Sequence, residues 1–333
     1  MNHDIITMDH GSGGGATSRL IEQLLVPAFS NPQLSALGDG ALLDLTGPLV
    51  FSTDSFVIDP VFFPGGDIGK LAVCGTVNDV AMCGGTPRYL SLAFILEEGF
   101  PVESLRRIVQ SIADTAASCG VSIVTGDTKV VEKGRGDGIY INTSGIGTLT
   151  WPGLSPANLK PGDKVILSGT MGDHGTAIML ERSGLLEGGD LRSDCQPLCR
   201  LAKAVLETGG VRVLRDPTRG GVATTLNEFV DGTALSIELE EDELPVKPAV
   251  RSACEMLGLD PLYCANEGKM LVVADPQQAE AALAALRGTP GGEEAAIIGT
   301  VTDRYPGKVI LNTCLGGGRV LTRLTGAQLP RIC

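Results

Sequence analysis

The chain has 333 residues, of which 43% are hydrophobic and 4% aromatic, and its formal net charge at pH 7 is −13. This charge repels the phosphates of nucleic acids and of anionic membranes, and the sequence contains no stripe of Lys and Arg to offset it. We therefore expect neither nucleic acid nor membrane as a partner. No apolar run approaches the ~20 residues of a membrane span, and Met1–Met8 lacks the pattern of a signal peptide, which favours a cytoplasmic protein.

The composition predicts an α/β fold. A chain of this length suggests two domains, and cores built from Ala, Val, Ile and Leu are typical of sheets covered by helices. The nine Cys residues lie at irregular positions without a C-x-x-C pair. Such a distribution is typical of reduced thiols, and not of a disulfide framework or a structural zinc site.

Helical and extended patterns alternate in the first half of the chain. A Gly-rich run over residues 11–15 leads into a stretch whose leucines recur at helical spacing, and Gly84-Gly85 ends a second helical stretch. In chain order the patterns predict a helix over 16–29, a strand over 48–58, a helix over 69–83, a strand over 89–96, a helix over 101–119 and strands over 121–125 and 139–149.

The second half follows a run of Pro and Gly residues that starts after Trp151 and predicts a domain boundary near residue 150. Its patterns predict a strand over 164–167, helices over 174–182, 195–207 and 219–230, and strands over 235–239, 269–274, 295–301 and 309–311. Both halves therefore mix helix and strand.

Acidic residues at four places in the first half suggest a nucleotide site. Each of Asp39, Asp54, Asp79 and Asp127 is explained on its own by a turn or a helix cap. Asp54 inside a strand and Asp79 inside an apolar helix are harder to explain, because a partly buried carboxylate needs a partner. Mg²⁺ prefers oxygen ligands and bridges nucleotide phosphates, so the four Asp side chains together predict a Mg-ATP site.

Basic and glycine residues complete this interpretation. Lys70 and Lys129 are predicted to neutralise phosphate oxygens. The run over 11–15 resembles a phosphate cradle but lacks the Gly-Lys-Ser/Thr ending of a P-loop. It forms either a lid over the nucleotide or a simple linker.

Two side chains in the second half are candidates for acid–base chemistry. His174 begins a predicted helix and is either such a group or a surface residue. Glu267 precedes an apolar strand and is either a base or an ordinary loop carboxylate. Asp173 and Asp216 lie in strand-to-helix turns, where each belongs either to an anion site or to a helix cap.

Cys333 is the last residue of the sequence. Counted as extended chain, the stretch from Cys314 to Cys333 reaches ~60 Å, enough for the thiol to visit a distant site. Prenylation of the C-a-a-X kind needs a Cys four residues from the end, so a lipid anchor of that kind is not expected. The thiol is either a carrier of a reactive group or fortuitous, and the residue alone does not decide between them.

A series of motifs runs through the whole chain. In order they are His10-Gly11-Ser12-Gly13-Gly14, Ser52-Thr53-Asp54-Ser55, Phe62-Phe63-Pro64-Gly65-Gly66, Ile68-Gly69-Lys70, Asn78-Asp79-Val80-Ala81, Gly126-Asp127-Thr128-Lys129-Val130-Val131, Gly172-Asp173-His174-Gly175, Thr218-Arg219-Gly220-Gly221, Asn266-Glu267-Gly268 and Pro330-Arg331-Ile332-Cys333. Together they resemble the superfamily of ATP-dependent enzymes that includes aminoimidazole ribonucleotide (AIR) synthetase, selenophosphate synthetase and thiamine-monophosphate kinase. Within it the sequence closely resembles the HypE family of hydrogenase maturation factors, and the terminal motif is the most specific part of the likeness.

The resemblance implies a two-domain AIR synthetase-like α/β (α+β) fold. It implies that the N-terminal sheet pairs with that of a second subunit to form a dimeric β-barrel, with ATP near the dimer and domain junction. The expected segments are a Gly-rich lid and helix over 1–36, an ATP-binding and dimerisation domain over 37–150, a C-terminal α/β domain over 151–312 and a flexible tail over 313–333.

The resemblance also implies an activity and partners. The carbamoyltransferase HypF delivers a carbamoyl group to Cys333, and the enzyme, a carbamoyl dehydratase, converts it to a thiocyanate with ATP and Mg²⁺. The product passes to iron on the HypC–HypD complex and supplies the cyanide ligands of [NiFe] hydrogenase.

Each predicted site residue has an expected role. Cys333 carries the group, Glu267 in preference to His174 accepts the nitrogen protons, and Lys129 stabilises the transferred phosphoryl group. The expected metal ligands are Asp39, Asp54, Asp79 and Asp127. The expected nucleotide contacts are Gly11, Ser12, Gly13, Asp39, Thr53, Asp54, Ser55, Lys70, Asn78, Asp79, Gly126, Asp127, Thr128 and Lys129.

Two other functions stay open at this point. A small-molecule synthetase or kinase of the same superfamily would keep its activity after removal of the last few residues. A noncatalytic thiol carrier would need Cys333 but would not change its cargo when nucleotide is added.

Overall fold

The computed structural model describes residues 5–184, 191–324, 326 and 331–333. Helical turns precede the first sheet: a 3-10 turn over Met8–Gly11, α1 over Gly15–Leu20, a π-helical turn over Ile21–Leu25, α2 over Val26–Ala28 and α3 over Pro32–Ser35. The predicted helix over 16–29 is confirmed, with one wide turn in its middle.

A four-stranded sheet forms the centre of the first domain. In chain order its region contains β1 (Leu49–Phe56), the short pair β2 (Phe62–Phe63) and β3 (Gly66–Asp67), α4 (Ile68–Met82), β4 (Gly85–Glu97), α5 (Val102–Cys119), β5 (Ser122–Val131) and β6 (Ile139–Leu149). The strand order is β1-β6-β4-β5, in which β4 and β5 are parallel and the other neighbours antiparallel. Within one chain this sheet is open, with β1 and β5 at its edges.

Two helices cover this sheet and are held by their end residues. The Asp67 side chain caps α4 by accepting hydrogen bonds from the backbone N–H groups of Gly69 and Lys70, which satisfies donors that the first turn leaves free. Gly120 ends α5 in the left-handed conformation, at φ 68°, which glycine adopts without a steric penalty.

A seven-stranded sheet forms the second domain. Its elements are β7 (Lys164–Leu167), α6 (Asp173–Ser183), α7 (Cys199–Glu207), β8 (Val211–Arg215), α8 (Gly221–Val230), β9 (Ser236–Glu240), α9 (Pro248–Leu257), β10 (Leu271–Ala274), α10 (Ala279–Arg287), β11 (Ala296–Thr302), β12 (Val309–Asn312) and β13 (Gly318–Leu321). The strand order is β13-β12-β9-β11-β7-β10-β8, and β12 and β9 are the parallel pair. The predicted mixture of helix and strand in both halves is confirmed.

The hydrophobic cores of the two domains are continuous. The cluster around α4, α5 and the first sheet also contains Ile178, Cys195 and Ala265 from the second domain, and Ile332 from the last residues. A second shared cluster packs Ala81 of α4 with residues of α7 and β10. The domain junction is therefore a packed interface.

Two predicted elements differ from the structure. The strand predicted over 121–125 continues to Val131, so Asp127 and Lys129 lie on an edge strand and not in a loop after it. The helix predicted from Cys195 begins at Cys199, because Pro197 disfavours helical backbone at the residue before it.

The segment boundaries drawn from the sequence stay predictions. The first sheet ends at Leu149 and the second begins at Lys164. Within the tail predicted over 313–333, β13 pairs with β12, and residues 331–333 contact both domains, while 325 and 327–330 lie outside the described residues. Among the described residues, no helix combines the length and the apolar character that crossing a membrane would require.

Candidate active site

A cavity of about 390 Å³ lies between the N-terminal helices and β5. Its wall includes apolar side chains such as Ile21, Leu25 and Phe94. Its rim gathers six of the predicted nucleotide contacts: Gly11, Gly13, Gly126, Asp127, Thr128 and Lys129. An apolar wall with a few convergent polar groups is the usual make-up of a ligand pocket.

Gly11 holds the N-terminal segment against β5. A Cβ atom at Gly11 would lie 2.5 Å from the backbone nitrogen of Val130, so no larger residue fits without moving the strand. Ser12 Oγ donates to the carbonyl of Asp9 at 3.0 Å. Asp39 lies in the exposed bend whose neighbours Gly38 and Gly40 line the same cavity.

Lys129 is the cation at the rim of this cavity, and it pairs with Asp127. The Lys129 ammonium donates to the Asp127 carboxylate, which also accepts the backbone N–H of Thr128. The hydrogen bond from Lys129 lowers the pKa of Asp127. Both side chains are more than half exposed, so they remain accessible to a ligand.

A second group of predicted residues lies at the opposite edge of the first sheet, where β1 meets α4. Ser52 Oγ donates to Asp79 Oδ2 at 2.6 Å, and Asp54 Oδ1 accepts the backbone N–H of Ser55 at 2.9 Å. Burial raises the pKa of Asp54, and the nearby Asp79 carboxylate acts in the same direction. The two carboxylates are therefore close neighbours, as the sequence analysis requires of metal ligands.

Asp216 adds a third carboxyl group to this edge. It follows β8 in the turn before α8 and is 8% exposed. Burial, reinforced by the charge of Asp79, raises the pKa of Asp216 to about 7. A carboxyl group with such a pKa in a cleft indicates a functional site.

Glu267 is more deeply enclosed than the aspartates. It is 3% exposed, and its Oε1 has no hydrogen-bond partner among the described residues. Burial raises the pKa of Glu267 well above its usual range, and the neighbouring Cys333 acts in the same direction. Burial thus favours the protonated form of Glu267, which has an unsatisfied oxygen close to the terminal thiol.

Cys333 lies in the same cleft. The guanidinium of Arg219 donates to its sulfur, with 3.2 Å between Nη2 and Sγ. This hydrogen bond and the Cys333 sulfur raise the pKa of Arg219, and Asp54 and Glu267 contribute to the shift. Arg219 therefore bonds the thiol and interacts through its charge with Asp54 and Glu267.

Main-chain contacts hold the last residues in the cleft. The carbonyl of Cys333 accepts from Val57 N at 3.1 Å, and the carbonyl of Arg331 accepts from Asp59 N at 3.4 Å. The Arg331 side chain pairs with Asp137 and donates to the carbonyl of Val57 at 3.0 Å. The first domain thus binds the tail through its backbone at residues 57–59 and through the carboxylate of Asp137.

His174 is fully buried, so the alternative that it is a surface residue is wrong. Its ring packs edge-on against Phe63, with 5.7 Å between ring centres. Both ring nitrogens have partners: Nδ1 lies 2.7 Å from Ser193 Oγ, and Nε2 lies 2.7 Å from the carbonyl of Ile332. Burial lowers the pKa of His174, which keeps the ring neutral.

The remaining predicted nucleotide contacts form hydrogen bonds with other groups of the protein. Lys70 Nζ donates to the carbonyl of Gly65 at 2.9 Å, and Thr53 Oγ1 donates to the carbonyl of Thr143. Ser55 Oγ accepts from Asn142. The amide of Asn78 bonds backbone groups of the second domain at Gln196 and Leu198.

The four predicted metal ligands divide between the two edges of the first sheet. Asp54 and Asp79 lie at the β1 edge, and Asp39 and Asp127 lie beside the cavity at the β5 edge. The edges are three strand spacings apart, about 14 Å. Consistent with this separation, no group of three or more His, Cys, Asp or Glu side chains within the described residues is arranged to hold a metal ion.

Comparisons with known proteins identify the family. The family model described as AIR synthase related protein, N-terminal domain, matches residues 37–149, and the corresponding C-terminal domain model matches residues 160–312. The carbamoyl dehydratase HypE of Azotobacter vinelandii is 51% identical over 332 residues, which cover 98% of this chain and 97% of that protein. HypE of Escherichia coli K12 is 49% identical over 341 residues, with 98% and 99% covered. This chain belongs to the HypE family.

Solved structures agree with this assignment. A crystal structure of the hydrogenase maturation protein HypE in complex with ATP matches with a TM-score of 0.95 and 52% identity, covering 98% of this chain and 99% of that chain. HypE from a HypE–HypF complex matches with a TM-score of 0.80 and 50% identity, covering 92% and 99%. The thiamine monophosphate kinase of Aquifex aeolicus, at 20% identity and a TM-score of 0.62, shares the fold alone.

Two predictions are confirmed by these matches, and one alternative is not favoured. The resemblance to the HypE family is confirmed, and so is enzymatic function, because full-length relatives at about half identity are named carbamoyl dehydratases. The small-molecule synthetase or kinase is not favoured, because such enzymes match this chain far less closely than HypE does.

Arg219, Ser193 and Ile332 are contacts of the cleft to which the sequence analysis assigned no role. Arg219 was visible only as part of a motif, between a Thr and two glycines. Those glycines allow the close turn: a Cβ at Gly221 would lie 2.6 Å from the carbonyl of Leu262. In the sequence, a basic residue next to paired glycines after a strand is the pattern that could have predicted this contact of Arg219.

Proposed function

We propose that this HypE-family chain dehydrates the S-carbamoyl group carried by Cys333 to a thiocyanate, using ATP. One observation carries the proposal: the terminal thiol lies in a cleft against Arg219, beside the buried carboxyl group of Glu267, whose pKa is raised. A passive carrier has no use for such surroundings. ATP as the second substrate is supported by the ATP complex of a 52% identical HypE.

The overall reaction balances without a redox partner. S–C(=O)–NH₂ and ATP give S–C≡N, ADP, inorganic phosphate and a proton. The carbamoyl oxygen leaves as part of phosphate, because phosphorylation turns a poor leaving group into a good one. The two nitrogen protons leave as the C≡N bond forms.

Glu267 is the residue best placed to handle those protons. Burial and the neighbouring sulfur raise its pKa, which favours the protonated form before the nucleotide binds. Cationic groups drawn into the cleft with the nucleotide would lower that pKa and release a carboxylate base next to the cargo. His174 is less suited, because both its ring nitrogens are already bonded.

The acidic groups fit a divalent cation. Asp54 and Asp216 have raised pKa values partly because they repel Asp79, and a hard cation would relieve that repulsion. We infer that Asp54 and Asp79 would hold Mg²⁺, which when bound neutralises charge on the phosphates of ATP. Lys129 and Lys70 would bind phosphate oxygens.

A homodimer would unite the two halves of the site. Within one chain the β1 edge is open, and Leu49 and Phe51 on it are 50% and 65% exposed. An open edge with apolar side chains favours pairing with another strand. A barrel closed by two such sheets would bring Asp127 of the partner subunit towards Asp54.

The predicted protein partners and location remain part of the proposal. A crystal structure of a HypE–HypF complex, 50% identical in its HypE chain, supports HypF as the carbamoyl donor. We further propose the HypC–HypD complex as the acceptor of the product, in the cytoplasm. Exchange with either partner requires residues 331–333 to leave the cleft.

The central test weighs the tail. Protein carbamoylated on Cys333 is mixed with Mg-ATP, and the C-terminal peptide is followed by mass spectrometry. We expect it to lose the mass of one water, and Glu267→Gln should slow the loss about 10²- to 10⁴-fold because general base catalysis is removed. Exposed Glu293→Gln is the matched control.

Cysteine variants check the site of loading. Cys333→Ala should remove loading while sparing ATP binding, whereas Cys314→Ala, at an exposed thiol nearby in the sequence, should change neither. An unchanged tail mass in correctly loaded wild-type protein would contradict the proposed function.

A further inference from the structure

Residues 331–333 extend the first domain as a short antiparallel pairing. The N–H of Val57 donates to Cys333 and the N–H of Asp59 donates to Arg331. Residue numbers increase along the first-domain segment as they decrease along the tail, so the two segments run antiparallel. No backbone N–H of residues 57–59 donates to the carbonyl of Ile332, which lies between the two paired tail residues.

The carbonyl of Ile332 is paired with His174 of the second domain. The His174 Nε2 lies 2.7 Å from the carbonyl oxygen of Ile332. The Ile332 side chain is 2% exposed and belongs to the core cluster that includes Ile178 and Ala265. The second domain thus contacts the one tail residue whose carbonyl the first domain leaves unpaired.

The direction of each hydrogen bond around His174 is fixed by chemistry. A carbonyl can only accept, so Nε2 must carry the hydrogen. Ser193 Oγ accepts the backbone N–H of Cys195 at 3.0 Å and therefore has its own hydrogen free to donate to Nδ1. The neutral Nε2–H tautomer is the one that satisfies the whole chain of contacts.

We propose that His174 is a positioning residue that sets the register of the tail, and not the acid–base group of the reaction. A slip by one residue would put Arg331 or Cys333 in the place of the buried Ile332 side chain and present a different carbonyl to His174. The His174 bond disfavours that slip and so keeps the sulfur of Cys333 against Arg219. The catalytic purpose of this placement rests on the proposed function, whereas the docking of the tail by His174 does not.

Hydrogen–deuterium exchange measures docking directly. The amides of Val57 and Asp59 donate to tail carbonyls, so their exchange reports docking in unloaded protein without nucleotide. His174→Leu removes the donor, and we expect the peptide containing both amides to exchange about ten-fold faster than in wild type. A chain truncated after residue 330 supplies the undocked reference.

Matched variants separate positioning from other roles. In His174→Gln the amide nitrogen occupies nearly the place of Nε2, so protection should return to within about two-fold of wild type. Ser193→Ala leaves the tail itself unchanged but removes the hydroxyl that fixes the Nε2–H tautomer of His174. It should therefore also speed exchange. Ser183→Ala, at the end of the same helix, where its Oγ donates to Leu180, should change nothing.

Dehydration of loaded protein gives the second readout. His174→Gln cannot transfer a proton, so it should keep activity if His174 positions the tail, and it should be as inactive as His174→Leu if His174 is the acid–base group. The KM for ATP should stay unchanged in both.

The outcomes are separable. Wild-type exchange in His174→Leu, or loss of activity in His174→Gln with the tail still docked, would overturn the inference. If His174→Leu does not fold, Ser193→Ala decides: exchange as slow as in wild type contradicts the inference. Failure of wild-type protein to lose water would refute the proposed function and leave the exchange result standing.

Discussion

Two carboxyl groups in the cleft hold their protons more tightly than they would in an unfolded chain. Asp216 and Glu267 both have raised pKa values, chiefly because they are buried. Arg219 interacts electrostatically with Glu267 and also contacts the sulfur of Cys333. Without bound ligands the folded protein therefore carries carboxyl groups that would ionise more readily after unfolding.

Asp216 should make stability depend on pH. Its pKa is about 7 in the folded protein and about 3.9 in an unfolded chain. As pH rises between these values the unfolded chain has already released the proton, so the free energy of unfolding falls and the contribution is lost above pH 7. Asp216→Asn should flatten this dependence and be more stable than wild type by about 2–4 kcal/mol at pH 8.

Urea unfolding at pH 4 and pH 8 measures this effect, at fixed protein concentration and without nucleotide or Mg²⁺. Asp114→Asn, at an exposed carboxylate on α5, is the control and should follow wild type. Equal pH profiles for Asp216→Asn and wild type would contradict the assignment.

Sequence reasoning found several residues of the cleft and missed their surroundings. Asp54 and Asp79 were noticed because a strand and an apolar helix are unfavourable places for carboxylates, which is a local signal. The burial of His174 had no such signal, because it comes from Phe63 and from Ile332, which is 158 positions away in the chain. Contacts of this separation leave no periodicity in one sequence.

At the scale of elements, α4 links the two domains through its polar side chains. Asp79 bonds Ser52 on β1, and Asn78, one residue earlier, faces the second domain. The Asn78 amide accepts from Leu198 N at 2.7 Å and donates to the carbonyl of Gln196 at 3.2 Å. Asn78 is 1% exposed, so both partners depend on it.

Asn78→Ala should therefore destabilise the protein by about 2–3 kcal/mol, because it leaves a buried N–H and a buried carbonyl unpaired. Chemical denaturation measures the loss. Asn158→Ala, at an exposed amide that donates to the carbonyl of Gly153, is the matched control and should cost less than about 1 kcal/mol. A loss of stability of similar size in both variants would contradict the inference that the Asn78 amide links the two domains.

The elements themselves were largely predictable, and their edges less so. The leucine and isoleucine spacing of α5 and the glycine after it give both its type and its end. The start of α7 was missed, because the apolar pattern extends back to Cys195 although Pro197 prevents helix there. The length of β5 was missed, because Gly126 and Asp127 are typical of a turn, yet a Cβ at Gly126 would meet the carbonyl of Leu92 at 2.2 Å, so strand packing requires this glycine.

At the scale of the whole molecule, the split between the two sheet edges makes a single chain insufficient for the proposed site. Strand order cannot be read from one sequence, and for that reason the four aspartates were expected together. The structure instead places Asp54 on β1 and Asp127 on β5, at opposite edges of the sheet, which three strand spacings separate by about 14 Å. Two chains related by symmetry would supply each site with both edges.

Mixed dimers test this arrangement. Asp79→Ala and Lys129→Ala proteins should each be inactive alone. If each site takes Asp79 from one subunit and Lys129 from the other, random mixing of the two proteins should restore about a quarter of wild-type activity, because half of the dimers have one intact site. Measured dehydration that stays at zero after subunit exchange would place both residues in one chain's site.

The shared interior of the two domains limits how the chain can be divided. A polypeptide cut near residue 150 would leave one piece without the cover that Ile178, Cys195 and Ala265 give to its apolar face. The other piece would lose Ala81 and Met82 from its own packing. Each fragment would then expose an apolar surface that favours aggregation. The two halves are therefore better regarded as one folding unit than as independent domains.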